Sequence, residues 1–176
     1  GPGISVNSVT LGLGTGDSLS VHTGVAGDAI QILENLEGNL EPSIDALEFA
    51  DGTTLSIEEL FERGIEITGT EGPDTLTGTN VIDRISGGAG NDFSFGGLGA
   101  DIVRGEEGSD QLFGGDGNDQ LDGGMGNDVL NGEAGQDAYV FGRGYGQDSL
   151  RDFPIEQSGP NTIQLASGVS SDEVCL

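Results

Sequence analysis

From residue 87 to residue 140 one nine-residue phrase, G-G-x-G-x-D-x-U-x with U apolar, repeats six times without a break. The copies are GGAGNDFSF (87–95), GGLGADIVR (96–104), GEEGSDQLF (105–113), GGDGNDQLD (114–122), GGMGNDVLN (123–131) and GEAGQDAYV (132–140). Two looser copies precede them, GTEGPDTLT (69–77) and GTNVIDRIS (78–86). A short period held over eight units predicts a solenoid, because one unit cannot bury its apolar residue alone and must stack on its neighbours. The glycines permit positive φ and close backbone approach, which a sharp loop needs. Positions seven to nine are a minimal strand in which only the middle side chain points inward. Each unit is then half a coil, and eighteen residues return the chain to the same side. Loops eighteen apart stack, which puts Asp74, Asp92, Asp110 and Asp128 in one column and Asp83, Asp101, Asp119 and Asp137 in another.

The columns point to a hard cation. Carboxylates at position six and carbonyls from a glycine-rich loop suit calcium, which takes six to eight oxygen ligands in a flexible geometry. The whole chain has 31 acidic residues against 5 basic ones and a formal net charge of −26. That balance argues against nucleic acid as a partner, since phosphate binding needs basic patches. Without metal, an acidic, glycine-rich, tryptophan-free chain reads as disordered. No apolar run reaches the length of a transmembrane helix, and no signal peptide is visible. The single cysteine, Cys175, leaves no internal disulfide, so metal is the expected substitute for cross-links.

These repeats resemble those of the RTX (haemolysin-type) proteins, strongly over about residues 69–153 and more weakly in the flanks. The resemblance implies a mainly β fold, a calcium-bound parallel β-roll, here with a small α+β flanking cap. It also implies a calcium ion between loops eighteen residues apart. The earlier loop would give the carbonyls of positions two and four and its Asp; the later would give those of positions one and three and its Asp. Carried over, Gly88, Gly90 and Asp92 face Gly105, Glu107 and Asp110, while Glu106, Gly108 and Asp110 face Gly123, Met125 and Asp128. In the other column Gly97, Gly99 and Asp101 meet Gly114, Asp116 and Asp119, and Gly115, Gly117 and Asp119 meet Gly132, Ala134 and Asp137.

Three further sites are marginal. One joins Thr70, Gly72 and Asp74 to Gly87, Ala89 and Asp92. Another joins Thr79, Val81 and Asp83 to Gly96, Leu98 and Asp101, against the resistance of β-branched Val81 to positive φ. Downstream, GRGYGQD (142–148) reads as a last loop with two residues inserted, so that Asp148 completes a site with Gly124, Gly126 and Asp128. Position eight is apolar at Leu76, Ile85, Val103, Leu112, Leu121, Leu130, Tyr139 and Leu150, and Ser94 breaks the series.

The flanks carry a second message. GISVNSVTL (3–11) is echoed by GVSSDEVCL (168–176), 165 residues on; both, like IDALEFADGTTL (44–55), resemble segments of the haemolysin-type calcium-binding-related family. The echo reads either as coincidence or as one period of a tandem array. Gly1-Pro2 has the look of a tag-cleavage scar. We therefore expect a scar at 1–2, a small α+β segment at 3–67, the roll at 68–153, and a capping strand segment at 154–176 that begins a next repeat. Within the flank, 18–21 alternates like a strand, 29–36 fits strand or helix, and 44–49 reads as a strand into the Asp51-Gly52 turn. Ser56 with Glu59 forms a capping box for a helix over 57–63, and 161–165 is a short strand.

Catalysis has little to stand on. His22 has no acid or cysteine constellation around it, Cys175 sits at the position matched by Thr10, and there is no self-cleaving Asp-Pro dipeptide. The sequence is expected to be a non-enzymatic, calcium-binding module of a large bacterial protein exported by type I secretion, secreted or at the cell surface. It would act as a spacer or adhesion segment whose partners are calcium, neighbouring copies or domains of the same polypeptide, and cell-surface ligands. The alternatives are a noncatalytic tail of a secreted lipase, protease or epimerase, or a region of a pore-forming toxin. One sheet should display Phe93, Phe95 and Phe113 outward. Such a patch is seldom left open. Either a register change at Ser94 turns Phe93 or Phe95 inward or, as we favour, the flank 19–67 packs over it and buries Phe95 and Phe113.

Overall fold

Alternation within each short strand sets the architecture. The computed structural model describes residues 7, 9–13, 19–23, 29–32, 44–151 and 160–169. The flank contributes β1 (Thr10–Leu13), β2 (Leu19–His22), β3 (Ala29–Ile32), β4 (Ala46–Glu48), β5 (Thr54–Ser56) and α1 (Ile57–Arg63). The repeats follow as β6 (Ile65–Thr68), β7 (Thr75–Thr77), β8 (Asp83–Ala89), β9 (Phe93–Leu98), β10 (Ile102–Glu107) and β11 (Gln111–Asp116). Then come β12 (Gln120–Met125), β13 (Val129–Ala134), β14 (Ala138–Phe141), β15 (Ser149–Leu150) and β16 (Thr162–Leu165).

Successive strands fall on alternate faces. One sheet runs β16-β14-β12-β10-β8-β6-β1-β2-β3 and the facing sheet runs β15-β13-β11-β9-β7. Within the repeats all neighbours are parallel, in the eighteen-residue register: Arg84 pairs Ile102, Ile102 pairs Gln120, and Phe93 pairs Gln111. This is a mainly β, parallel β-roll. The ladder begins before residue 68, since Ile65 pairs Asp83 in the same register. At the far end Val129 pairs Ser149, which accommodates the two-residue insertion before Asp148, and Ala138 pairs Thr162 after a longer one.

Between the sheets runs a thin apolar seam. Ile85, Val103, Leu112, Leu121, Leu130 and Tyr139, all at position eight, are buried in it. Ser94 takes the same inward place and is also fully buried. Alternation therefore persists through Ser94 with no register change, and Phe93 stays outside at 40 % exposure. Leu150 was expected to be inward as well, yet it is exposed, as are Ile163 and Leu165. The reason is position: β15 and β16 are the outermost strands of their sheets among the described residues, so no further rung of those residues covers them.

The N-terminal end is covered. β1 adds to β6 in parallel, Leu11 beside Ile65, and β2 and β3 extend it antiparallel. The β4–β5 hairpin leads into α1, whose N-terminus carries the capping box of Ser56 and Glu59 and whose end turns at Gly64 with φ 91°. Leu11, Leu55, Ile57, Leu60 and Ile65 join Ile85 and Val103 in one buried cluster. Helix and hairpin thus close the seam at this end.

The expectation that the flank overlies the phenylalanine sheet is not met by the described residues: β1, β2 and β3 extend the opposite sheet, and β4 and β5 form a two-stranded sheet of their own. Phe95 and Phe113 are only half-buried, and they owe that to each other. Ring centroids lie 5.1 Å apart for Phe93–Phe113 and 6.4 Å for Phe95–Phe113. The proposed scar at 1–2, most of the echo at 3–6, 8 and 170–176 with Cys175, and residues 18, 33–36 and 154–159 lie outside the described residues.

Candidate metal centre

Each aspartate column is tied together by its own backbone. The N–H of Asp92 donates to Asp110 Oδ1 at 2.8 Å, that of Asp110 to Asp128 at 2.9 Å, and that of Asp74 to Asp92 at 2.8 Å. In the other column Asp83 donates to Asp101 at 2.8 Å, Asp101 to Asp119 at 2.8 Å and Asp119 to Asp137 at 3.0 Å. Asp128 donates to Asp148 Oδ1 at 3.1 Å, so Asp148 extends the first column across the insertion. Position five adds a parallel ladder outside this one, in which Ser109 and Gln136 donate their N–H groups to the side-chain oxygens of Asn91 and Asn118.

One oxygen of each carboxylate is thereby used, and the other is stranded. Oδ2 of Asp92, Asp101, Asp110 and Asp119 is buried without a hydrogen-bond partner, and the same holds for Asp128 and Asp148. A buried carboxylate oxygen without a donor is costly, and a proton or a cation removes the cost. The carboxyl groups respond accordingly. Burial, with the neighbouring Asp83 and Asp119 adding, pushes Asp101 up to about 7. Burial likewise raises Asp119 and Asp128 to about 6, with Asp137 acting on the first and Asp148 and Asp110 on the second. Asp83 is also pushed to about 6 by burial, and Asp110 is raised by burial and by Asp92.

The stranded oxygens converge with carbonyls. A Cβ placed at Gly87 would lie 2.4 Å from Asp92 Oδ2 and 2.8 Å from the Gly105 carbonyl. At Gly105 the distances are 2.2 Å to Asp110 Oδ2 and 2.5 Å to the Gly123 carbonyl. The second column repeats the cradle, with Asp101 Oδ2 and the Gly114 carbonyl at Gly96, and Asp119 Oδ2 and the Gly132 carbonyl at Gly114. Only glycine leaves room there. Positions two and four turn left-handed, as at Gly97 (φ 111°) and Gly108 (φ 143°). Two non-glycine residues share that conformation at position two, Glu106 at φ 76° and Glu133 at φ 67°. At Gly117 the Gly99 carbonyl oxygen lies 1.4 Å from where a Cβ would be, so successive loops stack backbone to backbone.

This donor set fits a hard, oxygen-seeking cation such as calcium. Among the described residues no point gathers three His, Cys, Asp or Glu side chains. The loops instead offer aspartates in pairs, with backbone carbonyls left to supply the rest. The structure brings Asp92 to Asp110, Asp110 to Asp128, Asp101 to Asp119 and Asp119 to Asp137. Asn161, which sequence reasoning missed, ends the second column by accepting the Asp137 N–H on its Oδ1 at 2.7 Å. The only signal for it is N-T-I-Q at 161–164, the D-x-U-x pattern with an amide for the acid.

Fold and site together define a cation-binding parallel β-roll. Residues 68–147 match the model of the RTX calcium-binding nonapeptide repeat family in four copies, at 68–103, 95–130, 104–139 and 122–147. No curated protein and no solved structure matches the chain. RTX repeats bind calcium, and no helix among the described residues is long and apolar enough to cross a membrane.

Proposed function

We propose that this chain is a calcium-dependent folding module of a large protein exported by type I secretion, serving as a spacer or adhesion segment outside the cell. The observation that carries the reading is the line of buried carboxylate oxygens without partners, from Asp92 to Asp148. A calcium ion bound in a cradle supplies the positive charge these oxygens lack. In our reading the ions sit between the loops of Asp92 and Asp110, Asp110 and Asp128, Asp101 and Asp119, and Asp119 and Asp137. A fifth, between Asp128 and Asp148, follows from the continued column. The flank 3–67 acts as the N-terminal cap, 68–153 as the roll and 154–176 as a capping segment toward a neighbouring unit.

Sites of the extracellular type bind calcium at roughly 10⁻⁴–10⁻³ M. Where calcium is scarcer, the carboxylates stay uncompensated and their mutual repulsion opposes stacking. At ten times its Kd a ligand adds about 1.4 kcal/mol per site. Four sites then contribute on the order of 6 kcal/mol, which is comparable with the whole stability of a small domain. Circular dichroism during a calcium titration tests the reading: little β signal in chelator, and cooperative folding in millimolar calcium. A fully formed β spectrum in excess chelator refutes it.

A further inference from the structure

The first loop of each column is built differently from the six loops that follow. Thr70 donates both its N–H, at 2.6 Å, and its hydroxyl, at 2.8 Å, to Asp74 Oδ2. Thr79 does the same to Asp83 Oδ2, at 2.6 and 3.0 Å. Each hydroxyl also accepts an N–H from two residues on, Gly72 at 3.2 Å and Val81 at 3.3 Å, so it sits inside its loop. The oxygen stranded in Asp92, Asp101, Asp110 and Asp119 is thus the one satisfied here.

The backbone gives a second, independent difference. In the six loops that follow, positions two and four are left-handed, but Thr70, Gly72, Thr79 and Val81 are not. Gly72 is free to adopt that conformation and does not. The cradle is otherwise kept, since a Cβ at Gly69 would lie 2.2 Å from the Gly87 carbonyl and 2.8 Å from Asp74 Oδ2. Asp83 retains one buried oxygen without a partner, Oδ1, because Ile65 one turn earlier gives its N–H to the Ile82 carbonyl instead.

We propose that Thr70 and Thr79 stand in for the metal, closing the loops of Asp74 and Asp83 with a hydroxyl and an amide, so that these two loops head the columns without calcium. This rests on the calcium reading above. It makes the first coil, wedged between the capped flank and the metal rungs, a metal-independent template on which the calcium-dependent coils stack.

Native mass spectrometry of the full chain in calcium tests it by counting ions. Asp74→Asn and Asp83→Asn are expected to hold as many ions as the unaltered chain, whereas Asp110→Asn, which serves two sites, holds two fewer. Loss of an ion from either of the first two overturns the proposal. If the unaltered chain binds no calcium, or Asp110→Asn loses none, it is the underlying calcium reading that fails. Thr70→Val and Thr79→Val cover the case in which the aspartate variants do not fold. These remove the hydroxyl but leave every backbone carbonyl in place, so they should lower the urea midpoint in saturating calcium. An unchanged midpoint means that the hydroxyls close nothing, and it too overturns the proposal.

Discussion

Asp110→Asn should change sign with the metal. Asparagine keeps the shape of the side chain and an Oδ1 that can still accept the Asp92 N–H, a bond of 2.8 Å in the parent. What it removes is the charge and the stranded Oδ2. In calcium at ten times Kd two sites of about 1.4 kcal/mol each are lost, so the variant should be less stable by about 3 kcal/mol. In chelator the same change deletes a buried carboxylate whose charged form is disfavoured by burial and by Asp92. There the variant should be the more stable of the two. Urea unfolding followed by circular dichroism reads the first effect. The midpoint of folding induced by trimethylamine oxide, which strengthens effective burial, reads the second in chelator. Destabilisation in both conditions would mean that Asp110 is a structural hydrogen-bonding residue and not a cation ligand.

Acidification should partly replace calcium. In the folded chain Asp101 lies at about 7 and Asp83, Asp119 and Asp128 at about 6, all raised by burial from 3.8. Folded carboxyls that hold protons the unfolded chain releases contribute stability that is fully present below 3.8 and lost as pH rises through 6 to 7. The metal-free chain should therefore gain β signal between neutral pH and about pH 4, and a loss of signal over that range contradicts the burial argument. Ser94→Ala removes a fully buried hydroxyl without a partner. It should stabilise the calcium form by about 1 kcal/mol, read as a higher urea midpoint; a lower one implies that the hydroxyl is satisfied. Glu133→Gly relieves a left-handed glutamate at φ 67°. Strain of about 1–2 kcal/mol, less the entropy of an added glycine, leaves a net gain of about 0.5–1 kcal/mol in thermal unfolding. A fall in melting temperature means that the glutamate side chain holds the loop.

The repeats were legible because period and alternation are properties of sequence. An eighteen-residue return fixes which residues stack, and the inward place of Val103 or Leu121 follows from the pleat alone. The capping box at Ser56 was legible for the same local reason. The place of the flank was not. Nothing in residues 10–13 says that they will add to Ile65–Thr68 and lengthen one sheet rather than cover the other, because that choice is made by long-range packing of Leu11 and Leu60. At Ser94 a polar residue in an inward position left a slip open as the alternative, and eighteen-residue pairing on both sides holds its strand in register. Asn161 stayed hidden because an insertion broke the period that would have found it.

The aspartate ladder has a direction. Every rung gives its N–H to the side-chain oxygen of the rung that comes later in the chain, from Asp74 to Asp92 through Asp128 to Asp148 and from Asp137 to Asn161. Shortening the protein from its two ends is therefore not equivalent. Removal of the first coil strips donors and leaves Asp92 with an exposed oxygen, which water readily solvates. Removal of the last coil strips acceptors instead and orphans the backbone N–H groups of Asp128 and Asp137, which now look to Asp148 and Asn161. Those amides belong to buried residues. A nested series of truncations should accordingly leave different groups unpaired at its two ends, carboxylate oxygens at the front and backbone N–H groups at the back.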